Sequence, residues 1–137
     1  SGVADPINLV ASTTYKLSLR FLNEIVDPVE DVTLEIQEDA EEHFVFIGGD
    51  AAVSWAYADV ESDYGENAVG DDLPVGLLNT ITTDGAAEAV DFRVVLRHLP
   101  LMNGEPQKSA DLPDAWANGE TLPGEVDVDV SFELTVE

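Results

Sequence analysis

The sequence predicts an all-β protein, an antiparallel β-sandwich of the immunoglobulin-like kind with about six to eight strands and one short helix. Three observations support this fold class. Several stretches alternate apolar and polar residues with the period of a half-buried strand. Turn residues such as Gly48-Gly49 and Asp84-Gly85 separate these stretches. One stretch has the capping residues and spacing of a helix.

The chain length fits one domain. Its 137 residues, 45% of them hydrophobic, are enough to bury a core without disulfides. Residues 1–12 contain Gly2, Asp5 and Pro6 and few residues that can pack, so we expect a linker or a trimmed N-terminal lead-in there. Residues 13–137 are expected to form the single β-sandwich domain.

The first expected strand covers residues 13–22, and a helix is expected to follow over residues 28–38. Asp27 can cap this helix, Pro28 suits its first position, and Glu30 completes a capping box. The alternative is a strand, because apolar residues in this stretch also alternate, at Val32, Leu34 and Ile36. The cap favours the helix.

The remaining strands are expected over residues 43–47, 53–57, 75–83, 90–99 and 125–137. The first two of these are separated by a glycine-rich turn and are expected to form a hairpin. The last has the most regular alternation in the chain, with six apolar residues in succession at every second position: Val126, Val128, Val130, Phe132, Leu134 and Val136. It is therefore expected to be an antiparallel strand with one solvated face.

The charge of the chain restricts its partners. With 29 acidic and 5 basic residues, the net charge of −24 repels nucleic acids and anionic membrane surfaces. It suits cations, basic proteins or a saline medium. The alternative is an acidic surface that only keeps the protein soluble. No apolar run is long enough to span a membrane directly.

No catalytic motif is present. The chain has no cysteine, and neither of its two histidines lies beside a recognisable nucleophile. Phosphate-binding loops, dinucleotide fingerprints and paired metalloprotease histidines are also absent from the sequence. We therefore expect neither an enzyme nor an organic cofactor.

An acidic segment over residues 57–74 is a candidate calcium site. Its carboxylates are interspersed with Gly65 and Gly70, and carboxylates two residues apart can converge on a hard cation. The spacing matches no EF-hand, so the alternative is a flexible, solvated loop. The candidate Ca²⁺ ligands are Asp59, Glu61, Asp63, Asp71 and Asp72.

The two histidines suggest a second candidate, a transition-metal site. Imidazole with carboxylates suits ions such as Zn²⁺ or Cu²⁺. The candidate ligands lie at the ends of expected strands that can meet on one rim: Glu24, Glu42, His43 and His98. The alternative is that each histidine is a hydrogen-bonded residue at a strand end.

Six short segments follow one another along the chain: FLNE at residues 21–24, PVEDVT at 28–33, EEHFVF at 41–46, LPVGL at 73–77, VVLRH at 94–98 and EVDVDVSF at 125–132. In this order they resemble the landmarks of small surface or periplasmic lipoproteins of Bacteroidota, which are often labelled type 1 periplasmic-binding. The resemblance extends from about residue 13 to residue 136.

The resemblance implies a β-rich domain on the outer face of the outer membrane or in the periplasm, a lipid anchor on the full-length precursor, and association with a TonB-dependent receptor. The chain departs from the pattern in lacking the lipobox cysteine and the opening strands. Its segments 61–71 and 101–119 also look longer than the corresponding turns of such proteins. We therefore expect a non-enzymatic binding module for a cation or a metal-bearing ligand, accessory to an outer-membrane importer. The alternative is a structural subunit of an extracellular assembly, held to other copies of itself by β-strand exchange.

Overall fold

A computed structural model describes residues 7–23, 28, 30–49, 53–65 and 72–137. These residues form β1 (Ile7–Leu9), β2 (Thr14–Ser18), β3 (Leu22–Asn23), β4 (Glu30–Asp31), α1 (Thr33–Glu38), β5 (His43–Gly49), β6 (Val53–Tyr57), β7 (Leu78–Thr83), β8 (Ala87–His98), α2 (Leu112–Ala117) and β9 (Glu125–Val136). Two short 3-10 turns lie at Ala40–Glu42 and Glu61–Asp63. No helix in the described ranges is long and apolar enough to cross a membrane.

The strands form two main sheets. One contains four strands in the order β1-β9-β8-β5, and the other contains three in the order β2-β7-β6. All neighbours are antiparallel except β1 and β9, which are parallel. A small additional pair joins β3 to β4. The prediction of an all-β sandwich is thereby confirmed, although the described residues contain two short α-helices where one was expected.

The core occupies both faces of the four-stranded sheet. Between the sheets, Val45 and Ile47 of β5 belong to the same buried cluster as Ile81 of β7. On the opposite face, Phe44 and Phe46 belong to a second cluster, with Val95, Leu99 and Leu112. The helix α2 covers this face, where Trp116 stacks on Phe46 with ring centroids 5.6 Å apart.

The expected hairpin between residues 43–47 and 53–57 does not form. β5 pairs with β8, and β6 pairs with β7 in the other sheet. The burial of the two strands explains the difference. Phe44 to Ile47 are all buried, which requires cover on both faces, whereas Ser54 and Ala56 of β6 are exposed.

The expected helix over residues 28–38 is also shorter than predicted. Residues Glu30–Asp31 pair with Leu22–Asn23, and the helix begins only at Thr33. The Thr33 hydroxyl accepts a hydrogen bond from the Phe21 N–H at 2.7 Å. This tertiary contact fixes the start of the helix, and the predicted cap residue Asp27 lies outside the described residues.

Part of the expected N-terminal lead-in belongs to the sheet. Ile7–Leu9 pair with the end of β9, and the Glu137 N–H donates to the Leu9 carbonyl at 2.8 Å. Ile7, Leu9 and Ala11 pack against the core between the sheets. The predicted domain boundary at residue 13 is therefore wrong for residues 7–12, and residues 1–6 lie outside the described ranges.

Candidate functional site

The two histidines are direct neighbours across two strands. His43 is the first residue of β5, His98 is the last residue of β8, and the antiparallel register makes them partners. Their rings stack with centroids 4.9 Å apart and an angle of 20° between the planes. Of the four residues predicted to bind a transition metal, these two therefore lie together, at the same end of two adjacent strands.

The hydrogen bonding of His43 determines which of its nitrogens is free. Its Nδ1 lies 3.0 Å from the backbone carbonyl oxygen of Asp39. A carbonyl only accepts hydrogen bonds, so Nδ1 carries the hydrogen and, in the neutral ring, Nε2 keeps its lone pair. Histidines that bind metals commonly donate their other ring nitrogen to a carbonyl in this way.

Burial keeps His43 neutral. Only 9% of the residue is exposed, and this desolvation lowers the pKa of its imidazole from the usual value of 6.5. The hydrogen bond to Asp39 opposes the shift, and the proximity of His98 adds to it. Since a protonated imidazole cannot bind a metal, the lowered pKa favours the form that can.

Both histidines line an open groove of about 710 Å³ beside α1. Its apolar wall includes Phe21, Ile36 and Leu96. Among the residues that the structure describes, no lysine or arginine lines the groove, and its ionisable members are Glu35, Glu38, Asp39, His43, His98 and Asp127. Four carboxylates with no lysine or arginine beside them give the groove a negative potential that attracts cations.

The other two predicted ligands are not part of this arrangement as described. Glu42 precedes His43 in a 3-10 turn but is not among the residues that line the groove. Glu24 lies outside the described residues. Within the described ranges, no group of three or more His, Asp or Glu side chains is placed to hold a metal ion. The described site therefore consists of two imidazoles in an acidic groove.

Asp59, a predicted calcium ligand, has a different position from the one expected for a solvated loop. It is 5% exposed, and its Oδ1 accepts the N–H groups of Val75 and Gly76 at 3.2 and 2.9 Å. Its Oδ2 accepts those of Leu77 and Leu78 at 2.9 and 3.2 Å. The Tyr64 hydroxyl also donates to Oδ2, at 2.6 Å. The carboxylate thus fixes the backbone that leads into β7.

The other described carboxylates of this segment also have protein partners. Glu61 forms a buried ion pair with Lys108 at 2.8 Å. Asp63 accepts the Val60 N–H, and Asp72 accepts both the N–H and the hydroxyl of Ser62. Asp71 lies outside the described residues. The calcium prediction remains a prediction, and the contacts described here give four of its five residues roles within the protein itself.

Lys108 is a buried charged residue that the sequence analysis did not identify. It lies in the long segment between β8 and α2, where a lone lysine in a polar stretch is ordinarily solvent-exposed. Instead its ammonium group is buried beneath the 3-10 turn at Ala40–Glu42, donating to the Ala40 carbonyl at 3.1 Å. No sequence pattern marks this position, because its partners are distant in the chain.

Comparison with known proteins adds no relative. No protein-family model matches the chain, and neither a curated protein nor a solved structure does. The functional argument therefore rests on the residues and their geometry.

Proposed function

We propose that this protein is a non-enzymatic binding module that captures a transition-metal ion, or a ligand carrying one, at the His43–His98 pair. The observation that carries the proposal is the position of two adjacent imidazoles in a groove whose other ionisable groups are all acidic. Imidazole nitrogen suits Zn²⁺ and Cu²⁺, which the surrounding negative potential would concentrate.

Two imidazoles leave part of the coordination sphere open. Zn²⁺ takes four ligands in most protein sites, so an ion held by this pair would need two more. These would come from solvent, from the predicted ligand Glu24, or from the ligand that carries the metal. An open site of this kind suits capture and release better than permanent structural binding.

The resemblance to surface and periplasmic lipoproteins supports the cellular setting of the proposal. An accessory protein of an outer-membrane importer would work on the outer face of the membrane or in the periplasm, where it would pass its ligand to the receptor. The acidic groove, with an apolar wall, would accept a metal chelate more readily than an anionic solute.

The test is a calorimetric titration of the intact protein with ZnCl₂ and with CuCl₂. His43→Ala and His98→Ala are each expected to lower the affinity by at least about tenfold, which corresponds to one lost ligand bond worth about 1.4 kcal/mol or more. Asp63→Ala is the matched control, because it removes an exposed acid that lies outside the groove. Thermal melts of each variant show whether the fold is retained.

The pH dependence sharpens the test. Because burial lowers the pKa of His43, protons compete for its Nε2 only below the usual value of 6.5. The affinity is therefore expected to weaken as the pH falls through about 6.5, since a metal must displace a proton from each imidazole that binds it. Equal zinc affinity in the native protein and in both folded histidine variants would refute the proposed site. Loss of affinity in the Asp63 variant alone would favour the acidic segment.

A further inference from the structure

Among the residues that the structure describes, the outer edge of β9 is paired only at its C-terminal end. On one side, β8 pairs with β9 from Glu125 to Val136. On the other side, β1 pairs only with Leu134, Thr135 and Val136. Among the residues that the structure describes, none pairs with the outer edge of β9 before residue 133. An open strand edge of this length is a template for another strand.

The direction of the free hydrogen-bonding groups follows from the paired end. The Glu137 N–H donates to the Leu9 carbonyl, and the Glu137 carbonyl accepts the Ala11 N–H at 2.9 Å. Successive residues of a strand direct their backbone N–H and C=O groups to alternate sides. The backbone groups of Ser131 and Asp129 therefore point to the same outer edge as those of Glu137. The pairing of β9 with β8 has two register shifts, one opposite residues 134–136 and one before Val128. The first adds its extra residue to β8, so the alternation of β9 from Glu137 to Asp129 is kept.

A groove of about 390 Å³ runs beside this edge. Its apolar lining comes from Leu19 and Phe21, which follow β2, from Val94 of β8, and from Val128, Val130 and Phe132 of β9. Arg20, Asp127 and Asp129 are its charged lining residues. The three β9 side chains pack against the core between the sheets but are only half-buried. A strand added at the edge would place every second side chain over them, and would bury apolar surface that is now partly exposed.

The outward face of the same edge is acidic. Asp129 and Glu133 point away from the core and are exposed. Asp129 pairs with Arg93 at 2.6 Å, whereas Glu133 has no ion pair within the described part of the chain. A neighbouring strand would set its own outward side chains beside these carboxylates, where basic residues would be attracted and acidic ones repelled.

We propose that the outer edge of β9 over residues 127–132 receives an extended segment of a partner protein in which apolar and basic residues alternate. The apolar side chains would enter the groove, and the basic ones would lie beside the carboxylates of Asp129 and Glu133. The backbone of the segment would continue the ladder that β1 begins. Six residues extend over about 20 Å, so the segment is short. A second copy of this chain is a poor occupant, because each copy carries a net charge of −24.

The test uses three synthetic peptides of the same length. The first alternates valine with lysine, the second has the same composition in two blocks, and the third alternates valine with glutamate. Only the first is expected to bind and to slow amide hydrogen exchange at Asp129 and Ser131. Equal binding of the block peptide would show charge attraction alone and would overturn the proposal. So would slow exchange at both amides in the peptide-free protein, since the edge would then already be covered by the chain itself.

A matched pair of variants tests the backbone contact. Ser131→Pro removes an N–H that faces the free edge and leaves the ladder with β8 in place, a position where sheets tolerate proline. It is expected to weaken binding of the alternating peptide by at least about tenfold, which is one lost hydrogen bond in a ladder. Ser131→Ala keeps the N–H and is expected to change the affinity less than twofold. Melting curves confirm that both variants fold, and equal affinities for the two folded variants would overturn the proposal.

Discussion

The ammonium nitrogen of Lys108 lies 2.8 Å from Oε2 of Glu61, with the two side chains only 1% and 2% exposed. The same nitrogen donates to the carbonyls of Ala40 and Pro74, so all three of its hydrogens are used. It also lies 4.6 Å from the centre of the Phe44 ring. This contact ties the long segment before α2 to the segment after β6 and to the turn before β5.

The first prediction concerns the loss of one partner from this pair. Burial lowers the pKa of Lys108 and raises that of Glu61, so the surroundings oppose both charges and each stabilises the other. Lys108→Met would leave the Glu61 carboxylate buried beside no cation. We expect the free energy of unfolding, measured by urea denaturation, to fall by about 3–5 kcal/mol.

The control for this prediction is the double variant Lys108→Met with Glu61→Leu. An apolar pair carries no buried charge, so most of the lost stability should return. Lys16→Met, at an exposed position on β2, should have little effect. A double variant that is no more stable than the single one would show that the hydrogen bonds to the two carbonyls, and not the unpaired carboxylate, account for the loss.

Alternation along the chain predicted most of the sheet but not the pairing of its strands. β9 has one buried and one exposed face, and its period of two was legible in the sequence. β5 is buried on both faces, so its sequence carries no alternation from which to choose a partner. The helix α2 has six residues and depends on Trp116 stacking on Phe46, a contact that local propensity does not encode.

The candidate site was predictable in part for a related reason. His43 and His98 each lie at a strand end, which the pattern showed, but their adjacency depends on the register between β5 and β8. Asp59 looked like one acid among many in a polar segment. Its carboxylate is buried against four backbone N–H groups of residues 75–78. The acidic residues around Asp59 in the sequence do not indicate the path of that backbone.

The second prediction follows from those four N–H groups. Asp59→Asn replaces one acceptor oxygen by an NH₂ group that would face backbone donors, and it removes the charge that strengthens the bonds. We expect the free energy of unfolding to fall by about 2–4 kcal/mol, since hydrogen bonds to a charged group contribute about 1.5–3 kcal/mol each. Asp63→Asn is the matched control, because that exposed carboxylate accepts a single backbone N–H. Comparable losses in the two variants would contradict the role assigned to Asp59.

The third prediction concerns Gly76, which lies in the same turn. Its φ of +99° suits glycine, and a Cβ there would lie 2.6 Å from Cβ of Val45. Gly76→Ala should therefore cost about 3 kcal/mol or more, from backbone strain and from overpacking. Gly85→Ala adds the same methyl group where nothing lies within 4 Å, and should leave the melting temperature nearly unchanged. Similar melting temperatures for the two variants would contradict this account of the turn.

The last prediction concerns the acidic surface as a whole. The acidic groups that give the chain its net charge of −24 repel one another most strongly in the compact state, and the three ion pairs Arg20–Asp31, Arg93–Asp129 and Lys108–Glu61 offset only part of this repulsion. We expect the melting temperature to rise by about 3–8 °C between low salt and about 1 M NaCl, which corresponds to roughly 1–2 kcal/mol for a domain of this size.

Asp91 and Glu133 allow the same repulsion to be tested at one place, because these exposed acids are direct partners across β8 and β9. Asp91→Asn removes a repulsion between like charges, so it should raise the melting temperature at low salt and lose that advantage at high salt. Thermal melts of the native protein and this variant at both salt concentrations test the idea, and a melting temperature of the native protein that does not rise with salt would show that self-repulsion does not limit its stability.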